Sequence, residues 1–208
     1  MKKPTSFGIW ANTDKKVFWD TFPSIIDWAK KNNLQLFVTT RIESRLKNSD
    51  FDYKLINNAD DFNKVDFVLS LGGDGTILSL ARAVAERGTP ILGIHLGELG
   101  FLAEVVLNDM YSRMGEVLNG DFLIQKRMAI KCSVLNKNGS KTFHALNDIV
   151  VDRGKSHRLL NCELFANGNF VADYKADGLI AATPTGSTAV SYTHLRAHET
   201  SLHLVCRL

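Results

Sequence analysis

One stretch of the chain, residues 66–80, constrains the fold more than any other. The mainly apolar residues 67–71 predict a buried strand, and the residues from Thr76 onward, rich in Leu and Ala, predict a helix. Between strand and helix stands Gly72-Gly73-Asp74-Gly75-Thr76. A strand that enters a helix through a glycine-rich turn is a place where backbone amides can face a phosphate group. The stretch therefore predicts an α/β domain with a phosphate site at this turn.

The carboxylate of Asp74 argues against a passive phosphate cradle. It would repel phosphate unless it holds a metal or accepts a proton from a hydroxyl group, so we interpret the turn as a site of phosphoryl transfer. The dinucleotide fingerprint does not fit, because its third glycine is missing after Gly75, and no Gly-Lys-Ser/Thr of a P-loop follows. The alternative that remains is a tight turn in which Asp74 caps the helix.

The first part of the chain alternates strands and helices, which predicts a parallel sheet in an open α/β domain. We predict strands at 7–11, 34–38, 67–71 and 91–94 and helices at 17–31, 76–86 and 108–118. Pro23 is expected to split or restart the first helix, and Asn108 is expected to cap the third. Ligands of such sheets bind at the carboxyl ends of the strands, where residues 72–76 lie.

From residue 121 the pattern changes to short strands without helices. Strands are predicted at 130–135, 141–152, 160–166, 170–174 and 178–182, with turns at 136–139 and 167–169. This spacing is typical of an antiparallel β domain. We therefore divide the chain into an α/β domain at 1–120 and a β domain at 121–190.

Four segments together resemble the NAD kinase family. Gly-Gly-Asp-Gly-Thr at 72–76 is also shared with diacylglycerol-type lipid kinases and, more loosely, with phosphofructokinases. Residues 145–150 (Ala-Leu-Asn-Asp-Ile-Val) resemble the Asn-Glu/Asp motif of NAD kinases, and residues 176–189 are similar to their most specific motif. Residues 93–102 look like the segment Gly-Ile-Asn-x-Gly-x-Leu-Gly-Phe-Leu, with His95 in place of the usual Asn. The resemblance covers residues 5–190 in the order and spacing of the family.

The resemblance implies an α/β domain followed by a β-sandwich-like domain. It implies transfer of the γ-phosphoryl group of ATP to the 2′-hydroxyl of the adenosine ribose of NAD, with Mg²⁺ on the donor phosphates and Asp74 as general base. A homo-oligomer is expected of the full-length form. His95 receives no role. The nucleotide contacts that the resemblance implies are Gly72, Gly73, Gly75, Thr76, Asn147, Asp148, Arg158, Lys175, Asp177, Thr185, Gly186, Ser187, Thr188 and Ala189.

Simpler interpretations remain for several of these positions. Asn147 and Asp148 fit a turn at a strand edge, and residues 185–188 fit a plain polar loop. Lone basic residues such as Arg158 and Lys175 are usually surface charges. At the level of the whole chain, a lipid kinase and a noncatalytic nucleotide-binding module are the alternatives to an NAD kinase.

Composition excludes some partners. A net charge of +3 with no run of Lys and Arg argues against nucleic acid, and the sequence has no run of 18 apolar residues that would span a membrane. Its 3 cysteines are widely spaced, so buried thiols in a reducing compartment are expected. We predict a cytoplasmic protein.

Residues 191–208 depart from the resemblance. His194 and His198 are four residues apart, the spacing of zinc ligands on a helix, but metal binding is a minor alternative there. We expect this segment to be a non-native tail that follows a truncated β domain. On that expectation the chain is inactive.

Overall fold

A computed structural model describes residues 3–46, 51–97, 100–103, 105–191 and 204–206 of the 208 in the chain. Glu98 and Leu99 of the segment 93–102, and His194, His198 and His203 of the predicted tail, lie outside the described residues. The chain forms two compact units, which divide after Gln125. The boundary predicted from the sequence lies a few residues earlier, at 120–121.

The strands of the first unit form one parallel sheet. They are β1 (Ser6–Ala11), β2 (Gln35–Thr39), β3 (Lys54–Ile56), β4 (Phe67–Gly72), β5 (Ile91–His95) and β6 (Val105–Val106). Their order across the sheet is β3-β2-β1-β4-β5-β6, and every neighbouring pair is parallel. The order changes direction between β1 and β4. In open α/β sheets, ligands bind at such a switch point, beyond the carboxyl ends of the strands.

Helices cover both faces of this sheet. They are α1 (Lys16–Lys31), α2 (Thr40–Glu43), α3 (Asp74–Val84) and α4 (Met110–Asn119), with short 3-10 segments at Ala59–Lys64, Ala85–Arg87 and Leu107–Asp109. One core joins α1 and α4 to β1, β2, β4 and β5, and its largest buried side chains include Phe7, Phe18, Ile25, Leu69 and Met114. A smaller core contains Phe62, Val68 and Leu80 and lies under α3. The predicted α/β domain with a parallel sheet is confirmed.

Two helix predictions are wrong in detail. Helix α1 runs through Pro23 without a break, because Pro23 is exposed while Phe22 and Ile25 beside it are buried and hold both turns on the sheet. The carbonyl that loses its partner at a proline can then be hydrated. Asn108 does not cap α4: it lies within the 3-10 segment, and Asp109 precedes the helix.

The second unit consists mainly of antiparallel strand pairs, as predicted. Its elements are β7 (Ile130–Asn136), β8 (Gly139–Ala145), β9 (Asp148–Asp152), β10 (Leu160–Ala166), β11 (Asn169–Ala176), β12 (Gly178–Ala182), α5 (Pro184–Ser191) and β13 (Leu204–Cys206). The pairs are β7 with β8, β9 with β12, and β10 with both β11 and β13. The single strand predicted at 141–152 is wrong: it divides into β8 and β9 at Leu146 and Asn147.

The turn between β10 and β11 follows the sequence signal closely. Ala166 pairs with Asn169, so Asn167 and Gly168 form a two-residue loop. Both have positive φ, 50° and 84°, as the type I′ turn requires. Asn and Gly tolerate this left-handed conformation at little cost, and the predicted turn is confirmed.

Leu69 is expected to be critical for the stability of the first unit. It is 0% exposed in β4, at the centre of the sheet, so Leu69→Ala leaves a cavity and should lower the free energy of unfolding by about 2–5 kcal/mol. Leu123→Ala makes the same change in the same unit at a side chain that is 98% exposed, and should cost under about 0.5 kcal/mol. Urea unfolding curves of the two variants measure the difference, and equal midpoints would contradict the placement of β4 in the core.

Candidate functional site

The predicted glycine turn lies where β4 ends and α3 begins. Gly72 is the last residue of the strand, Gly73 precedes the helix, and Asp74, Gly75 and Thr76 form its first turn. A β-carbon on Gly72 would collide with the side chain of Thr76, with 2.6 Å to Thr76 Cβ. At this position glycine therefore allows the chain to fold back closely as it enters the helix.

The carboxylate of Asp74 accepts hydrogen bonds from three consecutive backbone amides. Phe101 N donates to Oδ2 at 2.8 Å, while Leu102 N and Ala103 N donate to Oδ1 at 3.1 and 3.2 Å. A β-carbon on Gly100 would overlap this carboxylate, so glycine there permits the close approach. The alternative in which Asp74 merely caps its own helix is wrong, since its side chain is bound to another segment.

The pKa of Asp74 lies below its ordinary value of 3.8. Desolvation of the carboxyl group is the largest influence and would raise the pKa, but the hydrogen bonds from the three backbone amides lower it. The group is therefore ionised at neutral pH. Because its folded pKa is depressed, it stabilises the fold above the unfolded value, and this contribution is lost as the pH falls through the folded pKa.

A cleft of about 780 Å³ opens at the switch point of the sheet. One wall is polar and comes from the residues after β1 (Asn12, Asp14 and Lys15), and another is the glycine turn itself. Its apolar lining comes from Trp10, Ile56, Phe62 and Ala83. The predicted residues on this cleft are Gly73, Gly75 and Thr76.

Contacts between elements fix the walls of the cleft. Trp10 Nε1 donates to Ser79 Oγ at 3.0 Å, and Ser79 Oγ donates to the carbonyl of Thr76 at 2.8 Å, so the end of β1 is tied to α3. At the rim, Asp14 accepts from Arg41 at 2.9 Å and from Arg45 at 2.7 Å. The bond from Arg45 is the main reason why the pKa of Asp14 lies below its ordinary value.

Sequence reasoning missed the residues that follow β1. Lys15 lines the cleft and donates from Nζ to the carbonyl of Leu96 at 3.2 Å. The signal was present, because the polar run Asn12-Thr13-Asp14-Lys15 follows a buried strand of a predicted parallel sheet. The carboxyl ends of all such strands lie on one edge, so this run belongs beside residues 72–76.

In the second unit, the motifs at 145–150 and 176–189 meet at Asn147. Thr183 N donates to the carbonyl of Asn147 at 2.7 Å, and Thr183 Oγ1 donates to the carbonyl of Leu146 at 2.6 Å. Gly186 packs directly on the backbone of Asn147, where a β-carbon would come within 2.7 Å of Asn147 Cα. Asn147 Oδ1 is buried and, among the described residues, has no hydrogen-bond partner.

Residues 184–191 form the helix α5, so the plain-loop alternative for this segment is wrong. Gly186 N donates to Thr183 Oγ1 at 3.1 Å and Ser187 N donates to the carbonyl of Thr183 at 2.9 Å, which fixes the first turn of the helix. Thr185 Oγ1 accepts from Arg127 at 3.5 Å. Thr188 and Ala189 also belong to α5.

The other predicted contacts of the second unit are more scattered. Asp148 begins β9 and pairs with Ala182, next to Asn147. Asp177 is exposed and forms an ion pair with Arg153 at 2.9 Å. Arg158 is exposed in the loop before β10, and Lys175 is exposed on β11, in a different sheet from β9 and β12. A role for Arg158 and Lys175 in nucleotide binding stays a prediction.

Both halves of the chain match domains of known proteins. Residues 7–122 match the ATP-NAD kinase N-terminal domain, and residues 146–193 match the ATP-NAD kinase C-terminal domain. The chain belongs to the ATP-NAD kinase family. Membership of this family removes the lipid-kinase alternative.

Curated relatives are longer than this chain. It is 37% identical over 186 residues to an NAD kinase of Thermoanaerobacter sp. (strain X514), covering 88% of this chain and 64% of that protein. It is 38% identical over 184 residues to an NAD kinase of Moorella thermoacetica, covering 88% and 58%. The chain thus spans less than two thirds of the length of these relatives.

Solved structures share the fold. Yeast NADH kinase, determined in complex with NADH, matches with a TM-score of 0.80 and 27% identity, over 93% of this chain and 61% of that one. An NAD kinase from Archaeoglobus fulgidus, determined in complex with ATP, matches with a TM-score of 0.63 and 22% identity, over 90% and 64%.

The part of the chain that the structure describes contains no helix long and apolar enough to cross a membrane. It also contains no group of three or more His, Cys, Asp or Glu side chains placed to hold a metal ion.

Gly75 provides a test of the cleft as a nucleotide site. A β-carbon there meets nothing within 4 Å, so Gly75→Val should leave the fold intact while its branched side chain enters the cleft. We expect the affinity for ATP in calorimetry to fall about tenfold, roughly 1.4 kcal/mol. Gly115→Val in α4, where a β-carbon also meets nothing within 4 Å, is the control and should bind ATP normally. Equal affinities would show that the turn is only structural.

Gly186 tests the junction at Asn147. Gly186→Ala forces its β-carbon against the backbone carbonyl of Asn147, so one of the two segments must move, at a cost of about 1–3 kcal/mol. Gly115→Ala is the same exchange in an open helical position and should be neutral or stabilising. Thermal unfolding of both variants gives the comparison, and a Gly186→Ala protein as stable as Gly115→Ala would contradict the packing at this junction.

Proposed function

We propose that this chain carries the phosphoryl-transfer site of an NAD kinase. The reaction transfers the γ-phosphoryl group of ATP to the 2′-hydroxyl of the adenosine ribose of NAD, giving NADP and ADP. The observation that carries the proposal is the carboxylate of Asp74, which three backbone amides hold at the start of α3, next to the glycine turn on the switch-point cleft. The family membership and the names of the relatives support the same reaction.

Asp74 is proposed as the general base. Its oxygen Oδ2 accepts one amide bond, so it keeps an acceptor site for the proton of the 2′-hydroxyl. Its low pKa keeps it ionised, and the hydroxyl becomes acidic as its oxygen bonds to phosphorus. The O–P bond to the ribose forms, the bond between the γ-phosphorus and the β–γ bridging oxygen breaks, and the proton passes to Asp74.

The donor is proposed to lie in the switch-point cleft. Its apolar wall of Trp10, Phe62 and Ala83 suits a base, and its glycine turn at the start of α3 suits phosphate oxygens. Mg²⁺ is expected with ATP, where it supplies neutralisation of the phosphate charge during transfer. Asp74 is the acidic side chain of the glycine turn and would contribute a carboxylate ligand, while the donor phosphates are the main ligands in this proposal.

The acceptor is proposed to use the junction of the second unit. The unpartnered Oδ1 of Asn147 and the carboxylate of Asp148 can accept hydrogen bonds from ribose or amide groups of NAD. Thr185, Gly186, Ser187, Thr188 and Ala189 at the start of α5 follow the family motif and belong to the same proposed contact surface.

The proposal also includes a cytoplasmic location and assembly into a homo-oligomer. Cys162 is buried and Cys132 is half-buried, both as free thiols, which suits a reducing cytoplasm. Phe143, Phe170 and Ile180 of the second unit are exposed apolar side chains, which suits a homo-oligomer that would cover them.

Asp74→Asn tests the general base. The variant loses the proton acceptor, and we expect NADP formation to fall by about 10²–10⁴-fold while NAD affinity changes much less. Asp66→Asn is the matched control, because the carboxylate of Asp66 also accepts backbone amides, from Thr5 and Ser6, but at the opposite end of the strand. It should retain turnover within about threefold of the wild type, since it does not touch the cleft.

A coupled assay of NADP formation, with calorimetry of NAD binding, distinguishes the possible functions. Turnover by the wild-type chain that is lost with Asp74→Asn and kept with Asp66→Asn supports the kinase. Binding of NAD without turnover would replace it with a noncatalytic nucleotide-binding module. Near-normal turnover of Asp74→Asn would remove Asp74 from the role of base.

A further inference from the structure

His95 is a buried polar side chain that the reaction described above does not use. It ends β5, opposite Gly72 in the sheet, and is only 8% exposed. Its Nδ1 is buried and has no hydrogen-bond partner among the described residues. A buried polar atom of this kind needs an explanation, because leaving it unpaired is costly.

The lack of a hydrogen-bond partner at Nδ1 indicates which ring nitrogen of His95 carries the hydrogen. An unpaired buried N–H is rarer in proteins than an under-satisfied acceptor, so we assign Nδ1 as the bare nitrogen and place the hydrogen on Nε2. Nε2 lies 3.6 Å from the position that a β-carbon on Gly73 would occupy. The imidazole therefore places a hydrogen-bond donor next to Gly73, where the absence of a side chain leaves space.

Lys15 reaches the His95 ring from the segment between β1 and α1. Its Nζ and the His95 ring both come within 4 Å of one point, the position of a β-carbon on Gly97. Nζ uses one of its three hydrogens on the carbonyl of Leu96, which holds the ammonium group in place and leaves two hydrogens for a ligand. Lys15 lines the cleft together with Gly73, Gly75 and Thr76 of the turn, and His95 reaches that turn from the sheet through Nε2 at Gly73.

We propose that Lys15 and His95 bind the phosphate chain of the phosphoryl donor beside Asp74. Lys15 supplies positive charge, and His95 Nε2–H donates to a phosphoryl oxygen that rests on the turn at Gly73. This inference rests on the proposed function and adds two binding residues to it. Lys15 and His95 would also offset the repulsion between Asp74 and the incoming phosphate, since both bring hydrogen-bond donors to the anion.

The test uses the whole chain with ¹⁵N-labelled histidine, titrated with inorganic tripolyphosphate, ATP and AMP. His95→Asn identifies the ring resonances of His95, and exposed His157 is the internal reference. We expect tripolyphosphate and ATP to shift the His95 Nε2 resonance in a saturable manner, while AMP and the His157 signal show no such change. The shift patterns of the two ring nitrogens also test the assigned tautomer.

Calorimetry with tripolyphosphate tests Lys15 separately. Lys15→Met should weaken binding about tenfold or more, the usual scale for a charged hydrogen bond. Lys16→Met removes the neighbouring exposed charge at the start of α1 and should leave the affinity within about twofold. Thermal unfolding of each variant verifies that the fold is retained.

The outcomes separate this inference from the proposed function. If the wild type forms NADP but the His95 resonance does not move with tripolyphosphate, or Lys15→Met binds like Lys16→Met, the phosphate contact is wrong and the kinase stands. If tripolyphosphate binds through both residues and NADP is not formed, the contact stands and the kinase is wrong.

Discussion

The position of β4 in the sheet is the constraint on which the site of the first unit depends. The strand is buried along its whole length, with β1 on one side and β5 on the other. Its last residue, Gly72, therefore emerges at a fixed point on the carboxyl edge of the sheet. Since the strand order changes direction between β1 and β4, a cleft opens at that point, and the turn at 72–76 forms one of its walls.

A second constraint is the negative charge of Asp74, which orders a neighbouring segment and also sets the chemistry that the side chain can perform. The carboxylate organises residues 101–103 by accepting their amides, and those amides in turn keep it ionised. The bonds join α3 to the segment that leaves β5. A group fixed in this way loses little freedom when a substrate arrives, which is the preorganisation that an efficient general base requires.

Glycine has two different uses in the motifs of this chain. At Gly72, Gly100 and Gly186 it allows one segment to approach another so closely that a β-carbon would overlap the neighbour. At Gly75 a β-carbon meets nothing, so the free space faces the cleft and not the protein interior. A glycine-rich motif thus combines glycines that close packing requires with glycines that leave space for a ligand. The two kinds are distinguished by the atoms that surround each glycine in the folded chain.

The sequence by itself determined the local elements and their class. Apolar runs identified β1, β2, β4 and β5, and the pair Asn167-Gly168 identified a turn, because these choices depend on neighbouring residues alone. The polar residues around Asp74 and Asn147 were identified through their motifs. The path of α1 through Pro23 could not be predicted this way, since it depends on packing of Phe22 and Ile25 against a sheet built from distant strands.

Only the tertiary structure decided which residues share a site. Lys15 and His95 are 80 positions apart in the sequence, and parallel strands bring them to one edge, where both lie beside Gly97. Arg158 and Lys175, which the resemblance implies as nucleotide contacts, are exposed, and Lys175 lies on β11, in a different sheet from β9 and β12. Strand order and register depend on contacts between distant segments, and no pattern of neighbouring residues specifies them.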